Sequence, residues 1–208
     1  MARNPDQLSF GFTATAAFEE AKDAARGCQA CPLWEPATQT VFGEGPVPAP
    51  IVLIGEQPGD KEDLAGKPFV GPAGQKLNEA LEEAGIPRAA LYVTNAVKHF
   101  KYVPRGKIRL HQKPVTAEIK ACRQWLEKEL DFVRPKVAVA LGATAAQALS
   151  GKAMPVNKNR GVLFELGEAK GLVTIHPSYL LRIEDKAAAQ AEYARFVEDL
   201  SLLKAYLG

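Results

Sequence analysis

Three short apolar runs, Ile51–Ile54, Leu91–Val97 and Val137–Leu141, limit what this chain can fold into. Each is short for a buried helix, and the first and third stop at Gly55 and Gly142, so they read as strands buried on both faces. Helical spacing fills the intervals. Residues 13–27 alternate small apolar and charged residues up to a helix stop at Gly27, and Leu77, Ala80, Leu81 and Ala84 share a face ahead of a C-cap at Gly85. Ile119, Cys122, Leu126, Leu130 and Val133 form another stripe, with Thr116 as N-cap and Pro135 as terminator. A short Ala-rich helix at 143–150, strand-like runs at 162–164 and 172–175, and a final helix from about Asp185 to Leu207 complete the pattern. Strands alternating with amphipathic helices predict an α/β fold whose mainly parallel sheet is covered on both faces. No repeat or linker divides it, which predicts a single domain over residues 1–208.

Composition narrows the class. With 47% hydrophobic residues, the chain is ordinary globular material, not disordered, collagen-like or coiled coil. A net charge of +2 advertises no polyanionic partner, so any attraction to nucleic acid must be local. The start, Met-Ala-Arg-Asn-Pro-Asp-Gln, has no apolar signal core, and no stretch reaches the length of a membrane span, which predicts a soluble, cytoplasmic protein without membrane association. Three cysteines in a chain this long make a disulfide framework a poor reading.

In parallel sheets ligands bind at the loops leaving the carboxyl ends of the strands, here 55–74, 98–114 and 176–182. The first, GEQPGDKEDLAGKPFVGPAG, has five glycines for close backbone approach and the carboxylates Glu56, Asp60, Glu62 and Asp63 for acid/base or electrostatic work. It matches neither a Walker loop nor GxGxxG. The second carries Lys98, Lys101, Arg105, Lys107, Arg109 and Lys113 with no acid and with Phe100 and Tyr102 interleaved, a pattern that suits a nucleic-acid backbone and stacked bases. Lys152, Lys158 and Arg160 could form a second basic bank.

Cys28-Gln-Ala-Cys31-Pro follows a helix and precedes a proline-rich loop, a setting for a metal or cluster ligand pair more than for a redox pair. Cys122, on an apolar helix face, and His99, directly after the second strand, could complete a set of four. Spacing leaves zinc and an iron–sulfur cluster both open.

GEQPGDKEDLAGKPFVGPAG, TNAVKHF at 94–100 and HPSYLLR at 176–182 together resemble the uracil-DNA glycosylase superfamily, specifically its iron–sulfur family 4 type. Gln57, His99 and a basic loop ending in His111 are similar to the UdgX branch, whose members excise uracil and stay covalently attached to the DNA. The resemblance implies a three-layer α/β/α fold around a four-stranded sheet and a base-excision-repair activity on uracil-containing DNA, single-stranded DNA included, by a monomer. It implies a [4Fe–4S] cluster on Cys28, Cys31, His99 and Cys122, with a structural task. Phe69 would stack on the flipped uracil, Asn95 would read its edge, and His176 would stabilise the departing anion. Tyr179, Leu180 and Leu181 would wedge the vacated stack with Arg182 near the backbone, and Gly55, Asp60, Lys107 and Arg109 join the substrate-binding set. His111 would attack the anomeric carbon, Glu56 would orient it and take its proton, and Gln57 would hold the base or a water. The loop reads Lys107-Ile-Arg-Leu-His111 where the branch has KRRIH, one cation fewer. Two other readings stay open: a turnover glycosylase with His111 on a phosphate, and a non-catalytic, cluster-bearing binder of single-stranded DNA.

Overall fold

The structure, a computed structural model, describes residues 5–207, with side chains from residue 15 onward. Helix α1 spans Pro5–Arg26, so the part of the predicted first helix before residue 15 has no described side chains. Strand β1 (Ile51–Gly55) leads into α2 (Asp60–Ala65) and α3 (Pro72–Glu83), and β2 (Leu91–Asn95) into a hairpin of β3 (Tyr102–Arg105) and β4 (Ile108–His111). Then come α4 (Thr116–Val133), β5 (Val137–Leu141), α5 (Ala143–Ser150), α6 (Val156–Asn159), β6 (Leu163–Leu166) and β7 (Ala169–Thr174). Helices α7 (Pro177–Leu180) and α8 (Lys186–Ser201) close the chain, the latter tightening into a 3₁₀ turn over Leu202–Tyr206.

The main sheet has five strands in the order β2-β1-β5-β7-β6, not the expected four. The extra strand is β6, which turns back onto β7 through Gly167 and Glu168 and pairs antiparallel, Leu166 opposite Ala169. Gly167 adopts φ +60, the left-handed conformation such a two-residue connection needs. The other four strands are parallel.

Strand alternation sends β1, β2 and β5 side chains to two cores, which makes the three layers. Val52, Ile54, Tyr92, Ala138 and Ala140 pack with Ile119, Cys122, Trp125 and Leu126 of α4 and with α5. Ile51, Leu53, Leu91, Val93, Val137 and Val139 pack with Leu77, Ala80 and Leu81 of α3 and with Phe196 and Leu200 of α8. Thr116 opens α4 from inside its first turn, not from the cap. Val115 is the cap, and its N–H donates to Glu118 Oε2 at 2.7 Å. The proline-rich stretch before β1 sends Glu44 to bridge Val93, covering the outer edge of β2. The carboxyl ends of the parallel strands therefore lie side by side and present Glu56, Gln57, Asn95, Gly142 and His176 to one rim.

Candidate active site

A cavity of about 390 Å³ opens at this rim, lined by Phe69, Asn95, Pro72, Ala73, Gln57 and His176 among others. Gly55 makes its inner end possible: a Cβ there would lie 2.3 Å from Asn95 Oδ1 and 2.7 Å from Phe69 Cζ. Phe69 sits at φ 57, a left-handed conformation costly for a bulky residue, and Gly74 lets α3 approach so closely that a Cβ would strike the Phe69 carbonyl at 1.8 Å. The Phe69 ring faces His176, centroids 6.1 Å apart and planes at 29°. Asn95 is buried at the inner end of this cavity, with its Oδ1 against the Gly55 backbone. An aromatic face opposite an amide donor and acceptor is a slot for a flat, hydrogen-bonding ring.

His176 caps α7. Its Nδ1 accepts from the Ser178 N–H at 3.2 Å and lies 2.8 Å from Ser178 Oγ, which in turn accepts from Arg182 Nη1 at 3.3 Å. With Nδ1 accepting, the ring proton belongs on Nε2. Burial, with Arg182 and His111 adding, pushes its pKa down to about 4, so the imidazole is neutral near pH 7. It can donate a hydrogen bond to a developing anion without carrying charge itself.

A second cavity, of about 810 Å³, shares Gln57, His111, His176 and Ser178 with the first and extends to Thr144, Asn157, Tyr179 and Arg182. His111, at the end of β4, projects between them, its Nε2 3.4 Å from Glu56 Oε1. Desolvation lowers its pKa despite the opposing pull of Glu56, with Arg182 adding to the fall, so it too stands neutral. Within the 98–113 segment, residues 102–111 form a hairpin and not an irregular loop. Its base is held by Gln57, whose Nε2 donates to the Lys101 and Gln112 carbonyls, each at 3.1 Å, while Oε1 accepts from Lys101 N–H at 3.2 Å. Gln57 thus positions the hairpin, and it lines both cavities as well.

Half of the expected cationic segment is paired, namely Lys98, Lys101 and Arg109. Lys98 is fully buried, bonding Glu129 Oε2 at 2.5 Å, Thr94 Oγ1 at 2.7 Å and the Asn95 carbonyl at 2.6 Å. Lys101 meets Glu118 at 2.9 Å. Arg109 clamps the hairpin to α2 through Asp60 at 2.5 Å and Asp63 at 2.6 Å, with its guanidinium 5.3 Å from the Phe100 centroid and 5.1 Å from that of Tyr102. Phe100 is buried under that stack and offers no face to a base. In the expected second bank, Arg160 is sunk into pairs with Glu192 and Asp199. Arg105, Lys107 and Lys113 remain exposed. The acidic loop is structural in part: Glu62 Oε1 accepts from Gly71 N–H at 2.8 Å, and buried Asp63 accepts from Thr38 N–H. Leu180 corrects the expected wedge, since it packs into the α3–α8 core, leaving Tyr179 and Leu181 exposed at the rim. Thr144, which binds Glu56, and Ser178, which sets the His176 tautomer, escaped the sequence reading. Thr144 nonetheless follows a strand end, directly after Gly142-Ala143.

The three cysteines are free thiols between α1, the turn after it and α4. Cys122 is pushed up to about 12 by burial, partly offset by Lys98, with Cys31 and Cys28 adding to the rise; Cys31 is raised by burial with Cys28 adding. The Lys98 N–H donates to Cys122 Sγ at 3.2 Å and Trp125 Nε1 to Cys28 Sγ at 3.1 Å. His99 Nε2 lies 2.9 Å from Thr40 Oγ1, whose single proton goes to the Ala25 carbonyl at 2.8 Å. The imidazole must therefore donate from Nε2, which leaves Nδ1 with a bare lone pair, the state a metal ligand requires. Among the described residues no three His, Cys, Asp or Glu side chains are grouped to hold a metal ion.

A parallel sheet with an aromatic–amide slot and a neutral imidazole at its carboxyl rim agrees with one sequence match: residues 42–201 fit the family described as the Uracil DNA glycosylase superfamily, and the chain belongs to it. Among its relatives is the type-4 uracil-DNA glycosylase of Thermotoga maritima, 37% identical over 199 residues, which span 94% of this chain and 97% of that one. The type-4 uracil-DNA glycosylase of Pyrobaculum aerophilum is 32% identical over 179 residues, 82% and 86% of the two chains. The type-5 uracil-DNA glycosylase of Thermus thermophilus is 33% identical over 146 residues, 63% and 62%. No helix among the described residues is long and apolar enough to cross a membrane.

Proposed function

We propose that this chain excises uracil from DNA and that His111 then captures the sugar covalently. The observation that carries the capture is the neutral His111 ring at the junction of two cavities, facing the Glu56 carboxylate at 3.4 Å. Uracil enters the slot between Phe69 and Asn95, flipped out of the DNA, with Tyr179 and Leu181 at the vacated stack. As the N-glycosidic bond breaks, its electron pair leaves on uracil, and His176 Nε2–H stabilises that anion. The lone pair of the unprotonated His111 nitrogen forms the bond to the anomeric carbon, while the proton on the other ring nitrogen passes to Glu56. Arg105, Lys107 and Lys113 meet phosphates of the same strand, which suits single-stranded DNA as substrate.

Cys28, Cys31 and Cys122, with His99 through Nδ1, are the residues that would hold a [4Fe–4S] cluster. Their support is the donor set itself: three free thiols, two of them with pKa values raised by burial and by the neighbouring thiols, two N–H donors aimed at sulfur, and an imidazole in the ligand tautomer. Bound there, the cluster would tie α1 to α4 and to the segment after β2, and would take no part in the reaction. A single-domain monomer is the matching assembly.

The names of the relatives favour a second reading, in which water replaces His111 and the enzyme turns over. A uracil-containing oligonucleotide separates the two. Capture predicts a band on a denaturing gel migrating as protein plus DNA, absent in His111→Ala; many turnovers to free abasic DNA without that band would overturn it.

A further inference from the structure

Glu56 leaves the end of β1 with two inequivalent oxygens. Oε1 faces His111, and Oε2 accepts a hydrogen bond from Thr144 Oγ1 at 2.5 Å. Thr144 is only 2% exposed and stands in the first turn of α5, directly after the sheet ends at Gly142. Its one hydroxyl proton goes to Glu56. A β-branched residue in a helix has little rotamer freedom, whereas the terminal torsion of a glutamate is soft. Gly142 fixes the junction further: at φ +93, it packs so near His176 that a Cβ would lie 3.2 Å from that of His176. The rigid partner therefore sets the mobile one.

We propose that Thr144 is a positioning residue that holds the Glu56 carboxylate so that one oxygen stays aimed at His111. The inference rests on the reading that Glu56 serves His111 as base. Thr144→Val removes the donor at nearly constant shape, and Thr144→Ser keeps it. In single-turnover reactions with a uracil-containing oligonucleotide, released uracil and protein–DNA adduct are measured separately. Thr144→Val is expected to slow adduct formation about ten- to a hundredfold, the size of one hydrogen bond to a charged group. Uracil release should fall less, so free abasic DNA accumulates, and Thr144→Ser should restore capture. On a Glu56→Ala background, Thr144→Val should leave the residual capture unchanged.

Capture by Thr144→Val at the wild-type rate overturns the inference, as does a parallel loss of release and capture that Thr144→Ser fails to restore. An undiminished loss on the Glu56→Ala background does the same, since it marks a merely structural role. If Thr144→Val does not fold, Thr144→Ser against Thr144→Ala carries the same comparison. A wild type that forms no adduct overturns the capture reading and this inference with it, whereas the other failures leave capture standing.

Discussion

His111 and His176 face the same rim and are both kept neutral by desolvation, yet their surroundings suit them to different tasks. His176 has its Nδ1 tied to Ser178 and keeps one fixed donor; His111 has a carboxylate beside it and keeps one lone pair. His176→Ala should slow uracil release by about a hundred- to a thousandfold, as loss of one oxyanion donor does, measured in single turnover. The pH dependence follows from the lowered pKa values. Because His111 holds its proton more weakly than the usual 6.5, adduct formation should stay level as pH falls through 6.5 and decline only below it. Stability carries a related signature: unfolded chains protonate His176 near 6.5 and the folded protein only near 4, so acid favours unfolding across that window. Thermal midpoints should drop between pH 6.5 and about 4, and less so in His176→Gln. Asn95 and His176 were legible in the sequence because a polar residue ending an apolar strand must find a partner. The left-handed backbone of Phe69 was not, since it depends on how closely α3 approaches through Gly74.

The β3–β4 hairpin shows why a run of charge is a weak guide to a surface. In the basic segment that holds it, the partners of Lys98, Lys101 and Arg109 come from α4 and α2, far along the chain. Arg109 and Gln57 act on it as a clamp and a hinge plate, one pinning its face to Asp60 and Asp63, the other its base. Either Arg109→Ala or Gln57→Ala should free the hairpin and speed amide hydrogen exchange over residues 102–111. Capture should slow about tenfold or more, because a small misplacement of the attacking group is costly. Uracil release should be less affected, since Phe69, Asn95 and His176 lie on other elements.

Lys98 and Glu129 form an ion pair buried deep in the molecule, joining the end of β2 to α4, with Tyr92, Thr94 and Gly43 also donating to Glu129. Removing one partner strands the other charge, so Glu129→Ala should cost ~3–5 kcal/mol in chemical denaturation, more than Lys98 and Glu129 replaced together. Iron removal by a chelator should bleach visible absorbance and lower the thermal midpoint, as should Cys122→Ser, if the four proposed ligands tie α1 to α4. The strands of the main sheet, its two-sided cover and the rim on which Glu56, Asn95 and His176 stand were readable from residue order, because burial periodicity is a local property. The β3–β4 hairpin and α2 were not, because the loops at 98–114 and 55–74 lack such periodicity, and the strand-like run at 162–164 did not reveal that β6 pairs antiparallel. Pairing was decided only by the tertiary fold. Lys98 meets a carboxylate 31 residues away, Arg109 one 46 away, and Thr144 one 88 away. No pattern along the chain encodes such a meeting: the energy of a charge or a hydroxyl is set by what is packed against it, and that neighbour is supplied by topology.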